Sequence, residues 1–105
     1  MDVVNISKAL GNETRYQIIT ALRNHQIITC CNRISYNENG VSVLDVMNVT
    51  GLSQSTVSQH MSVLEKAGLV FKEKRDTWSC YFLNEITIQK YIKHLNVDLI
   101  IKDQV

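Results

Sequence analysis

The 105-residue sequence contains no proline, four glycines and a net charge of only +1. Without proline the strongest helix breaker is missing, so element boundaries must be read from Gly and Asn clusters. No run of about eighteen apolar residues occurs, which excludes a membrane-spanning helix and a membrane partner. Met1-Asp2 opens the chain without a basic stretch followed by an apolar run. A soluble cytoplasmic protein without a secretory signal is therefore expected. Cysteine is sparse: Cys30, Cys31 and Cys80 are odd in number, and two of them are adjacent. That is no secreted disulfide framework, and reduced thiols are the expected state. The sequence also lacks a Gly-rich phosphate loop, a nucleophile elbow and an HExxH metal motif. It has no internal repeat and no low-complexity segment, and it is not expected to be an enzyme.

What is present is apolar substance, at 45% of residues, enough for one packed domain over 1–105. Val3, Ile6 and Leu10 lie at helical spacing in a short first segment, 2–9, which Gly11-Asn12 interrupts. Asn12 suits the N-cap of a helix from Glu13 to about His25, with Glu13 in its first turn and Ile18, Ile19 and Leu22 as its buried stripe. Residues 26–40 mix Ile27, Ile28, Cys30, Cys31 and Ile34 with a turn-rich tail, and read as a helical extension followed by a loop. Ser42 and Asp45 form a capping-box-like start for a short helix over 42–50, which Thr50-Gly51-Leu52 stops. Ser53 opens a further helix to about Ala67, with Val57, Met61 and Leu64 on one face and Gly68 after its end. Leu69 to Lys74 and Thr77 to Leu83 read as two strands of a hairpin, joined by Lys74-Arg75-Asp76-Thr77. Asn84 caps a last helix, Glu85 to about Leu99, with a stripe of Ile88, Ile92, Leu95 and Leu99 and with Tyr91 beside it. The expected fold is mainly α with a small β-hairpin wing: a winged helix–turn–helix.

The second helix of a helix–turn–helix enters the major groove while the first props it there. It needs an apolar underside for packing and an outer face of short polar side chains. Residues 53–67 have both. Gln54, Ser55, Thr56, Ser58 and Gln59 face outward, with His60 nearby. Gln bonds adenine in bidentate fashion, Ser and Thr bond bases or phosphates, and the helix N-terminus favours phosphate. An ordinary solvated face would carry Glu, Lys and Arg; Ser55, Thr56, Ser58 and Ser62 instead lower helix propensity. Lys72, Lys74 and Arg75 gather in the hairpin, a basic element suited to phosphate in a nearly neutral chain. Arg15 fits either a structural or a phosphate-facing place.

Leu10-Gly11-Asn12-Glu13-Thr14-Arg15 resembles the opening "LG(D/N)xTR" of ArsR/SmtB-type repressors, and residues 50–70 resemble that family's core "GLSQSTVSxHLxxLxxAGLV". The resemblance covers roughly 9–83, with an interruption at 26–40. It implies a homodimer joined by its first and last helices, a recognition helix at 53–67 and a wing at 69–83. It further implies an imperfectly palindromic double-stranded DNA operator that the repressor leaves on sensing a signal. The residue pattern agrees on the dimer. Val3 and Ile6 with Ile88, Tyr91, Ile92, Leu95 and Leu99 make an apolar set in need of a cover, and two recognition helices suit two half-sites one turn apart.

Many members hold a metal or metalloid on a Cys-x-Cys pair before the turn. Here the matching positions are Ser42 and Leu44, so that site is absent. A second family site uses His and carboxylates on the last helix; His94 and Asp98 are present without companions. No cofactor or metal is expected, and Cys30-Cys31 is the remaining thiol candidate for a metalloid or redox signal. Two rival functions are a centromere-binding adaptor of a plasmid or phage partition system and a protein-interaction module without DNA binding.

Overall fold

The computed structural model describes residues 2–24, 40–75 and 78–100. Each helix starts where a short polar side chain can take a free backbone N–H. Asp2 Oδ1 accepts from Asn5 N (3.1 Å) to open α1, Val3–Leu10. Asn12 Oδ1 accepts from Arg15 N (3.0 Å) to open α2, Glu13–Arg23. The expected extension of this helix to His25, and the helix-then-loop reading of 26–39, lie outside the described residues. Ser42 and Asp45 close a reciprocal capping box on α3, Val43–Thr50: Ser42 Oγ accepts from Asp45 N at 3.1 Å, and Asp45 Oδ2 accepts from Ser42 N at 2.9 Å. Ser53 caps α4, Gln54–Lys66. Asn84 Oδ1 accepts from Thr87 N (3.3 Å) at the start of α5, Glu85–Leu99.

The end of α4 is a Schellman motif, in which Gly68 N donates to Glu65 O (2.9 Å) and Leu69 N to Leu64 O (3.0 Å). It turns the chain into the hairpin β1, Val70–Arg75, and β2, Trp78–Leu83, antiparallel with Val70 opposite Leu83 and Arg75 opposite Trp78. β1 starts and ends one residue later than the sequence pattern suggests, and Thr77, the expected start of β2, lies outside the described residues. The hairpin has a third partner that the pattern does not reveal. Val41, just before α3, bridges Tyr81 on β2, with Tyr81 N donating to Val41 O at 2.7 Å and Val41 N to Tyr81 O at 2.9 Å.

The core lies where α1, α2, α3 and α4 meet the base of the hairpin. Ile6, Ile18, Leu22, Val46, Val57, Met61, Leu64, Leu69 and Val70 are all essentially closed to solvent. Helix α5 contributes no fully buried residue; only Ile88 and Tyr91 of its stripe pack against this core. Tyr91 OH and Ser7 Oγ, 2.8 Å apart, tie α5 to α1.

Candidate nucleic-acid interface

α3 and α4 are joined by a turn over Gly51 to Ser53. Gly51 sits at φ 72°, a left-handed backbone that glycine adopts without steric cost. Thr50 Oγ1 donates to Val46 O at 2.8 Å and accepts from Leu52 N at 3.2 Å, which braces the turn. Ser53 Oγ accepts from Thr56 N (3.3 Å) and donates to Thr56 Oγ1 (3.0 Å), so one free N–H of the first turn of α4 is taken by its cap. Val57, Met61 and Leu64 are 0% exposed and fix the helix from beneath. Gln54, Ser55 and Gln59 are exposed above, and Thr56, Ser58 and His60 are partly so. The expected ridge therefore exists as a geometric object: short polar groups carried on a tightly packed underside.

Arg15, which the sequence leaves between two roles, is turned inward. Its Nε donates to Ala9 O at 2.8 Å and its Nη2 to Lys8 O at 3.4 Å, both carbonyls in the last turn of α1. Its Nη1 lies 3.3 Å from Nδ1 of His60 on α4. Partial burial first, and the Arg15 charge second, lower the His60 pKa from its ordinary 6.5.

On the hairpin, Lys72 and Lys74 are exposed and share one face of β1 by strand alternation. Lys72 Nζ lies 5.8 Å from the centroid of the Tyr81 ring, its register partner. Of Arg75 only the strand position, opposite Trp78, is described.

The apolar set assigned to a dimer face divides. Ile6 is 1% exposed and belongs to the core of the single chain, so its place in that set is corrected: it is already covered. Val3 and Leu95 are partly exposed, and Ile88 and Tyr91 rest on the core. Ile92 and Leu99 are 53% and 73% exposed, on either side of the partly covered Leu95. Val4, Ile86, Val97 and Ile100 are also well exposed, and the stripe pattern misses them because they fall off its period.

Ser42 is consumed by its capping box and Leu44 is exposed, so neither family ligand position offers a metal donor. His94 and Asp98 are both exposed on α5, and among the described residues no three His, Cys, Asp or Glu side chains gather. Cys30 and Cys31 lie outside the described residues. The expectation of reduced thiols needs correction at Cys80, which is 0% exposed on β2 and disulfide-bonded. Sequence spacing cannot reveal such a pairing, because connectivity depends on what the fold brings together. Among the described residues no helix is long and apolar enough to cross a membrane.

A helix–turn–helix followed at once by a hairpin defines a winged-helix DNA-binding regulator. The sequence pattern of the family described as "Bacterial regulatory protein, arsR family" matches residues 37–72. The chain is 30% identical over 100 residues to the uncharacterized HTH-type transcriptional regulator YbzH of Bacillus subtilis, covering 94% of this chain and all of that protein. It belongs to the ArsR family of bacterial transcriptional regulators. It is also 36% identical over 84 residues to the Halobacterium salinarum protein named ArsR2, to which repression of an arsenical resistance operon is ascribed. That match spans 80% of this chain but only 60% of the relative. In fold the chain resembles the homodimeric winged helix–turn–helix DNA-binding domain Mb0332 of Mycobacterium bovis, with a TM-score of 0.65 at 20% identity, covering 98% of this chain and 85% of that one. These relatives give no support to the partition-adaptor or interaction-module readings.

Proposed function

We propose that the chain is a sequence-specific repressor that grips a palindromic operator as a homodimer. Helix α4 lies in the major groove, with Gln54, Ser55, Thr56, Ser58, Gln59 and His60 as its reading face, and the wing lays Lys72, Lys74 and Arg75 on the phosphate backbone. One observation carries this reading: Gln54, Ser55 and Gln59 stand exposed on a helix whose opposite face is completely buried. A helix so held can present side chains to base edges without shifting, and short side chains let the backbone approach closely. The homodimer of the M. bovis domain and the uncovered Ile92 and Leu99 support pairing of two copies, which sets two reading helices about 34 Å apart on one side of the duplex.

Replacing Ser55 and Gln59 together by Ala tests the assignment. Against an operator selected from a random duplex pool, the double variant should lose roughly ten- to a hundredfold in affinity while binding unrelated DNA as before. It should also keep its helix content and oligomeric state. Undiminished operator selectivity would remove α4 from the groove.

A further inference from the structure

The contact between Arg15 and His60 joins the α1–α2 corner to the reading helix across 45 residues of sequence. A guanidinium has donors and no acceptor. At 3.3 Å, therefore, Arg15 Nη1 donates and His60 Nδ1 accepts, which leaves the neutral ring's single proton on Nε2. The Nε2–H bond points away from Arg15. Arg15 is itself anchored: its Nε and Nη2 each donate to an α1 carbonyl, and its backbone N–H is bound by Asn12. The imidazole thus receives both its orientation and its tautomer from a residue on another helix.

We propose that Arg15 is a positioning residue for DNA reading, one that fixes His60 so that α4 offers a single Nε2–H donor to an acceptor oxygen or nitrogen of the duplex. This rests on α4 being the groove helix. It assigns Arg15 a function that needs no DNA contact of its own, exercised through His60. It also makes His60 a directional hydrogen-bond donor and not a diffuse positive charge.

Nitrogen NMR of histidine-labelled, DNA-free full chain reads the tautomer directly. At pH 7.5, His60 Nδ1 should resonate as an unprotonated nitrogen and Nε2 as a protonated one. Arg15→Gln should mix the two forms. Because Arg15 also holds α1, that variant can lose stability, so two substitutions at the half-covered His60 complete the test. His60→Gln carries an amide donor out to about the Nε2 position and should bind the operator nearly as the parent does. His60→Asn leaves that position empty and should weaken binding roughly three- to tenfold. Equal weakening on operator and unrelated duplex identifies a phosphate oxygen as the acceptor; weakening on the operator alone identifies a base edge. A protonated Nδ1 in the parent chain, or parental affinity in His60→Asn, overturns the proposal. A correct tautomer combined with indifference to the loss of Ser55 and Gln59 would locate the failure in the groove assignment and not in the Arg15–His60 pair.

Discussion

At Gly40 a β-carbon would come within 2.6 Å of Phe82 Cε2 and 3.3 Å of Cys80 Cβ. Phe82 cannot swing aside freely, because its ring stacks on Phe71 with centroids 5.4 Å apart. Gly40→Ala should therefore destabilise the chain by about 1–3 kcal/mol, the usual cost of overpacking, as a lowered urea midpoint with unchanged slope. A midpoint equal to the parent's would mean the ring yields without cost. His60 makes a different demand. Its folded pKa is lowered, by burial and then by Arg15, while the unfolded side chain takes up its proton near pH 6.5. As pH falls from neutrality through 6.5 toward the folded value, the unfolded state binds the proton first. Stability should then decline over that window and be retained above it. Comparing urea midpoints of the parent and His60→Gln at pH 7.5 and 5.5 isolates this, since the gap between them should change with pH only if His60 titrates this way.

Among the elements, the helices were largely legible because their start signals are local. Asn12, Ser42 with Asp45, Ser53 and Asn84 each accept from a backbone N–H three residues on. An interaction of that reach is visible in the letters. The buried underside of α4 was legible for the same reason, since Val57, Met61 and Leu64 recur at helical period. What could not be read depends on segments that meet only in the fold. Arg15 meets His60, Val41 pairs with Tyr81, and Cys80 is oxidised; no periodicity encodes any of these. The wing is the element whose proposed role is easiest to separate from the rest. Lys72 and Lys74 are exposed and contribute little to packing. Changing both to Ala should weaken binding to all duplexes alike and flatten the salt dependence of log K by roughly one unit for each phosphate left without its lysine. An unaltered salt slope in titrations of DNA binding would show that the wing does not touch the backbone.

For the molecule as a whole, α5 poses the clearest energetic problem. Ile92 and Leu99 lie mostly in solvent, although the same stripe is seated at Ile88 and Tyr91. Burying an aliphatic side chain of this size stabilises by about 1.5–3 kcal/mol, so a twofold arrangement that covers both residues on both copies gains several times that before the costs of association. Replacing Ile92 and Leu99 by Glu should yield a folded monomer in sedimentation velocity, with operator binding reduced at least a hundredfold as the second half-site is lost. A persistent dimer would place the interface elsewhere.

The two short hydrogen bonds between Val41 and Tyr81 bear on how any signal could be transmitted. The hairpin is fastened at its base to the end of α4 through Leu69, and at its flank to Val41, just ahead of α3. A lever secured at two points does not swing by itself. Whatever displaces the hairpin must carry the helix–turn–helix along, and a push on either is delivered to both.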